Sequence, residues 1–268
     1  MIPERWSAIF GLDGKVAVVT DSGSNSSPEV AALLAEAGAT VVIADRDISL
    51  VDRVVADIRG GGGQAIGICT DVESENSVIA LFSQVAATFG SLDILVNCAA
   101  LNANRPLEEF PLNVWDEVQS VNLRSVFLCM RECIRQMLHA ERGGRIVNIT
   151  TMGARHPVLN GNSAYAAARA GVTGLTRSAA MDYASHGILV NELLPGAIPG
   201  KVRFHSDNLA ALQAGKNFTG PGGDAARRLP LGFGSPADVA AAVLYLVGPS
   251  GGYLTGQSIV LDGGFLVS

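Results

Sequence analysis

Residues Arg145–Arg177 read RIVNITTMGARHPVLNGNSAYAAARAGVTGLTR, a sheet-to-helix unit from which the rest of the chain can be placed. Its first six residues, Arg145–Thr150, are an apolar run with a β-branched bias, which predicts a buried strand. A polar loop follows. A long helix is then predicted from about Asn162, carrying Tyr165 and Arg169. Four residues apart on a helix, phenol and guanidinium share one face. A cation beside a phenol favours the phenolate, the state a tyrosine needs in order to exchange protons near neutral pH. Alone, the pair reads better as a half-buried tyrosine and a solvated arginine; only its surroundings overturn that reading.

On both sides of this unit, strand and helix alternate. Strands are predicted at Lys15–Thr20, Thr40–Asp45, Gln64–Thr70, Asp93–Asn97, Ile188–Leu194 and Ser258–Leu261. Helices are predicted at Glu29–Ala37, Leu50–Arg59, Glu75–Phe89, from about Val114 to His139, and at Pro236–Val247. The strands are continuous apolar runs instead of alternating ones, the pattern of a parallel sheet covered by helices on both faces. The expected fold class is therefore α/β, a Rossmann-type doubly wound parallel sheet forming a single domain over 1–268, with an irregular substrate lid at about 197–230. Such sheets take ligands at the carboxyl ends of their strands, near the point where strand order reverses.

With 268 residues, 48% of them hydrophobic and 16% charged, the chain has ample material for a core. A net charge of −6 argues against a nucleic-acid partner. The four cysteines Cys69, Cys98, Cys129 and Cys133 lack a metal-ligand pattern and read as small buried hydrophobes in a reducing compartment. No metal site is expected. The segment MIPERWSAIFGLDGK has no apolar core of a signal peptide, and no run reaches membrane-spanning length, so a cytoplasmic protein without a membrane partner is expected.

VVT at 18–20, Asp45, Asp71-Val72, NCAA at 97–100, VNLRSVF at 121–127, GRIVNIT, YAAAR, LLPGAI and TGQSIVLDGG occur in this order. Over essentially its whole length the chain resembles the short-chain dehydrogenase/reductase family. The resemblance implies a nicotinamide cofactor, with Asp45 accepting the adenosine ribose hydroxyls and repelling a 2′-phosphate, hence NAD over NADP, a preference that the adjacent Arg46 weakens. It places Asp71 at the adenine amine. By position it also implies cofactor contacts for Val72, Asn97, Ala99, Gly23, Asn25, Ser26, Pro195, Gly196 and Ile198.

The sequence departs from the family where the cofactor would sit. The pattern Thr-Gly-x-x-x-Gly-x-Gly becomes Thr20, Asp21, Ser22, Gly23, Ser24, Asn25, Ser26, Ser27, with all three pattern glycines replaced. Asn25 tolerates the left-handed conformation. Ser26 and Glu29, with Pro28 between them, fit a capping box that would compete with a pyrophosphate for the helix N-terminus. Weak or absent NAD binding is therefore expected. Ala100 replaces a further glycine and is tolerated where φ is negative.

In the family an asparagine, a serine, a tyrosine and a lysine carry out the chemistry. The tyrosine exchanges a proton with the substrate oxygen, the serine polarises that oxygen, and the asparagine supports a water that relays protons to the lysine. Asn122 and Tyr165 match. Thr151 takes the serine position if the loop is one residue longer; strict spacing would put Met152 there, and Thr150 is a weaker candidate. Arg169 replaces the lysine, keeping the charge but unable to release a proton.

Pro199 and Gly200 stand where the family has a nicotinamide contact, and His156 follows the catalytic loop. Lys201, Arg203, Lys216, Arg227 and Arg228 outnumber Asp207 and Asp224 over the lid, which suggests an anionic substrate such as a carboxylate or an acyl-CoA. Two readings result. One is an NAD-dependent oxidoreductase interconverting a secondary alcohol and a ketone. The other is a catalytically silent subunit partnering an active paralogue. The resemblance implies a homodimer or homotetramer for the first and a hetero-oligomer for the second.

Overall fold

The computed structural model describes residues 4–23, 26–199, 205–206 and 228–268. After a short helix α1 (Glu4–Phe10), strand and helix alternate: β1 (Val16–Thr20), α2 (Ser27–Glu36), β2 (Thr40–Asp45), α3 (Ile48–Gly60), β3 (Gln64–Cys69), α4 (Glu75–Phe89) and β4 (Ile94–Asn97). They continue through α5 (Leu112–Gln119), α6 (Ser125–Ala140), β5 (Gly144–Ile149), α7 (Ser163–Tyr183), β6 (Ile188–Pro195), α8 (Pro236–Val247) and β7 (Ser258–Leu261). Seven parallel strands lie in the order β3-β2-β1-β4-β5-β6-β7. The expected doubly wound sheet is present, with boundaries shifted by a residue or two.

Alternate strand residues supply two cores, as a period of two requires. Ala17, Val19, Val41, Ile43, Val96 and Val147 face α2, α3 and α8, through Val30, Leu34, Val51, Val54, Val239 and Val243. Val18, Val42, Ala44, Leu95, Ile146 and Val190 face α4, α6 and α7, through Leu81, Phe82, Cys129, Met130, Cys133 and Val172. Every residue of β1 is buried. A core valine loses about 1.5 kcal/mol or more of stabilisation if exposed, so a central strand tolerates no polar slip.

The helix expected at about Val114–His139 is interrupted. Between α5 and α6 the chain makes a π-helical turn, Ser120–Arg124, whose extra residue carries Asn122 inward. Such turns are frequent at functional sites. The order reverses at β1, flanked by β2 and β4, so the loops after β1 and β4 diverge and open a cleft.

Two expectations fail here. Cys69, at the end of the edge strand β3, is exposed, while the other three cysteines are buried. The capping box is absent: Ser26 has φ −117° and ψ −13°, away from the extended backbone a capping hydroxyl needs, and makes no side-chain cap. No helix among the described residues is long and apolar enough to cross a membrane, and they hold no cluster of metal-ligating side chains.

Candidate active site

A cavity of about 340 Å³ opens at the carboxyl ends of β4, β5 and β6. Tyr165, Arg169 and Thr151 line it together, with Ser26, Cys98, Asn102 and Asn162 as further polar groups. Met152, Leu229 and Phe265 form a small apolar cluster that walls one side. Sequence reasoning missed Leu229 and Phe265, which reach the cavity from distant parts of the chain without a motif.

Thr151 has extended backbone and caps a short turn, its Oγ1 accepting from the Gly153 N–H at 3.1 Å. Acceptance there leaves the hydroxyl proton to be donated elsewhere. Thr150 also lines the cavity, but its hydroxyl donates to Glu192 Oε1 at 2.7 Å within the protein, so its proton is committed there. Met152 is buried in the apolar wall. His156 is exposed and lies outside the cavity lining.

Arg169 is 1% exposed, among the largest fully buried side chains of the molecule. Its guanidinium carbon sits 5.2 Å from the centroid of the Tyr165 ring, so the predicted shared helix face is present. One terminal nitrogen donates to the Ala99 carbonyl at 2.7 Å, and the other reaches the Asn122 carbonyl at 3.5 Å. Its Nε has no hydrogen-bond partner, and no carboxylate pairs with it among the described residues. A buried cation without a counter-ion is costly. The arrangement is therefore suited to a negative charge arriving beside Tyr165.

Asn122 is fully buried. Its amide nitrogen donates to the carbonyls of Leu101 and Val118, both at 2.8 Å, and its oxygen accepts from the Leu101 N–H at 3.1 Å. It thus holds the chain leaving β4 against the π turn. Asn97 lies in a second buried chain, donating to Asn148, which in turn donates to Thr176 on α7, at 2.8 and 2.9 Å. Cys98 fills the wall beside them, its thiol pushed up by burial and further by the charge of Asp21. Ala100 avoids the left-handed backbone, so loss of glycine there costs no strain.

A residue that the sequence did not single out lies beneath the cavity. Glu192 is fully buried in β6 and accepts from Thr150 and Thr173 on Oε1, at 2.7 and 2.9 Å, and from Ser258 on Oε2 at 2.7 Å. One carboxylate thereby ties the end of β5, the helix of Tyr165 and the edge strand β7. An acidic residue within ILVNELLP was the available signal, since a buried charge must find partners.

The other end of the cleft is different. Asp21, at the position of the first glycine in the family pattern, has left-handed backbone at φ 66°. Its Oδ1 accepts from the Gly23 N–H at 2.8 Å. Asp45 Oδ2 accepts from both the N–H and the hydroxyl of Ser22, at 2.6 and 2.9 Å, and its Oδ1 from the Asp47 N–H at 2.9 Å. Asp71 Oδ1 accepts from the Glu73 N–H at 3.0 Å. Arg46 pairs with Glu73 at 3.5 Å. Burial, followed by the charge of Asp71, pushes the Glu73 carboxyl up. Asp21, Asp45, Asp71, Val72, Glu73 and Ala99 line an open groove of about 30 Å³.

Between the two ends, the N-terminus of α2, which the Ser26 side chain does not cap, meets the large cavity at Ser26, which suits a phosphate. At the end of β6, Pro195, Gly196 and Ile198 line the cavity. Gly196 also has a packing reason to be glycine, because a Cβ there would lie 2.7 Å from Asp262 Cα. Asn25, Gly200 and the lid charges Lys201, Arg203, Asp207, Lys216, Asp224 and Arg227 lie outside the described residues. Arg228 is described, and its guanidinium lies 4.2 Å from the Phe265 ring. The cavity and the α2 terminus fit a nicotinamide dinucleotide. The adenosine end has the expected residue types, with their hydrogen bonds already spent inside the protein.

Comparison with known proteins gives the family. A family profile described as enoyl-(acyl carrier protein) reductase matches residues 27–266. The chain is 38% identical to the cis-4-hydroxycyclohexanecarboxylate dehydrogenase of Sinomonas cyclohexanicum, over 94% of this chain and 96% of that one. It is 35% identical to the uncharacterized oxidoreductase YxbG of Bacillus subtilis, over 95% and 92%. A solved structure from Beutenbergia cavernae, described provisionally as an NAD(P)-dependent gluconate 5-dehydrogenase and holding NADP at low occupancy, superposes with a TM-score of 0.84 at 33% identity, covering 97% of this chain and all of that one. The ordered motifs, the parallel sheet and these matches together show that the chain belongs to the short-chain dehydrogenase/reductase family.

Proposed function

We propose that the protein is an NAD(H)-dependent oxidoreductase that interconverts a secondary alcohol and a ketone, on a substrate bearing a carboxylate or another anionic group. The observation that carries this reading is the convergence of Tyr165, Thr151 and Arg169 on one cavity at the strand ends. A bound nicotinamide would supply or accept the hydride. Tyr165 gives a proton to the substrate oxygen on reduction and takes it on oxidation. Thr151, whose Oγ1 already accepts from Gly153, donates to that same oxygen. Arg169 holds its charge against the tyrosine ring and keeps the Ala99 and Asn122 carbonyls in place.

Asp45 and Asp71 would hold the adenosine, and Ser26 at the α2 terminus the phosphates. The pairing of Arg46 with Glu73 keeps that cation from serving a 2′-phosphate, which supports NAD over NADP. The anionic substrate is supported by Arg228 over the cavity-lining Phe265 and by the carboxylate substrate named for the Sinomonas relative. A second reading, a silent subunit alongside an active paralogue, is favoured by the internal hydrogen bonds of Asp21 and Asp45 at the adenosine end. Under either reading the chain works as an oligomer, to which the exposed Leu231, Phe233 and Tyr253 would contribute.

The test is to assay the purified chain for NADH formation and consumption with cyclic and acyclic secondary alcohols and ketones, each with and without a carboxylate. Turnover favouring the carboxylate series is expected. Absence of turnover with every pair, alongside measurable NADH binding, would overturn the enzymatic reading in favour of the silent one.

A further inference from the structure

Asp21, Ser22 and Gly23, after β1, have hydrogen bonds within the protein that bear on ligand entry, given the reading of this cleft as a dinucleotide site. A carboxylate offers about four acceptor sites. On Asp45 three are filled, two by Ser22 and one by Asp47. A ribose presents two hydroxyls, and one acceptor site remains. The N–H groups of Ser22 and Gly23 are likewise spent on carboxylates, those of Asp45 and Asp21. Turn N–H groups are the usual grip on an anion. The space between these groups is small, about 30 Å³ against about 340 Å³ for the large cavity. Asp21, Asp45, Asp71 and Glu73 all border it, against Arg46 as the one cation among the described residues that line it, so the local field opposes a phosphate-bearing ligand.

We propose that Ser22 and Asp21 act as a built-in competitor for the adenosine half of the dinucleotide, Ser22 by occupying the Asp45 carboxylate and Asp21 by occupying the turn's own donor with a resident negative charge. Ser22 has no counterpart among the family motifs read from the sequence, and it sets the affinity at this end through a single rotatable hydroxyl. The nicotinamide end is untouched, because neither residue lines the large cavity. Replacing Asp21 by glycine preserves the backbone, since glycine adopts the left-handed conformation without strain.

The experiment is calorimetric titration of the full-length chain with NADH, with ADP-ribose and with nicotinamide mononucleotide, for wild type, Ser22→Ala, Asp21→Gly and Asp45→Asn. Circular dichroism serves as the control for folding. Ser22→Ala should tighten NADH and ADP-ribose by roughly three- to tenfold, the worth of one hydrogen bond. Asp21→Gly should tighten them by more, and Asp45→Asn should weaken them. Affinity for nicotinamide mononucleotide should stay within twofold throughout.

If wild type binds NADH and Ser22→Ala leaves it unchanged or weaker, the competitor role is refuted while the dinucleotide reading stands. An equal gain for nicotinamide mononucleotide would also refute it, since the effect would not belong to the adenosine half. If no folded variant binds NADH or ADP-ribose, the reading of the cleft falls and the proposal with it.

Discussion

The two ends of the cleft lie at the carboxyl edge of one sheet and treat their polar groups in opposite ways. At the end near β5 and β6, hydroxyls and a cation line a cavity of about 340 Å³, and Arg169 has an Nε without a partner. At the end near β2 and β3, the carboxylates of Asp21, Asp45 and Asp71 already accept from neighbouring main-chain N–H groups around about 30 Å³. Polar groups left unsatisfied in a buried place are costly, so one that borders an open cavity is suited to be completed by a ligand. Groups that complete one another make a stable turn and a poor receptor. The contrast separates the part of the cleft prepared for chemistry from the part that has turned inward.

The largest test of the open end is Tyr165→Phe. It should lower kcat by roughly 10²- to 10⁴-fold, the usual worth of a positioned acid or base, and leave NADH affinity within twofold. Unaltered turnover would remove the tyrosine from the chemistry.

Glu192→Ala comes next, because it strips the acceptor from Thr150, Thr173 and Ser258 at once. A loss of about 2–4 kcal/mol in urea unfolding is expected, since stranded buried hydroxyls each carry a desolvation cost. Glu192→Gln should lose less than half of that, as an amide can still accept from two hydroxyls and donate to the third. Equal losses for the two variants would mean that the carboxylate charge, and not the hydrogen-bond count, holds the three elements.

Arg169→Lys sharpens the comparison further. A lysine keeps the charge and can release a proton, so turnover should rise by roughly tenfold, while stability falls by about 1–2 kcal/mol with the loss of contacts to Ala99 and Asn122. A fall in kcat would show that the arginine has a role of its own.

The smallest effect belongs to the adenosine end. Glu73→Gln removes the partner of Arg46, and NADPH affinity should gain a few-fold relative to NADH, within the range of an exposed ion pair. An unchanged ratio would mean that Arg46 does not face the ribose.

The sheet was legible because its signals are local. Apolar runs, β-branched bias and turn residues predicted all seven strands, and Tyr165 and Arg169 were predicted to share a face from their spacing alone. What escaped depended on contacts between distant positions. Nothing near Ser22 in the chain indicates that it bonds Asp45, twenty-three residues on. The partners of Glu192 come from three other elements. The π turn at Asn122 adds one residue to a helical pattern, too small a slip for periodicity to expose. The Ser26–Glu29 motif matched in letters and failed because the backbone at Ser26 does not take the capping conformation. Local rules predict local structure, and site geometry is set by tertiary contacts.

The left-handed backbone of Asp21 has an evolutionary consequence. An aspartate codon becomes a glycine codon by a single base change, and the turn is already folded in the shape that glycine prefers. The family motif at this position therefore lies one mutation away, with no intervening unstable form to cross. A lineage carrying this chain could lose and regain cofactor affinity repeatedly while its sheet, cavity and helix of Tyr165 stayed the same.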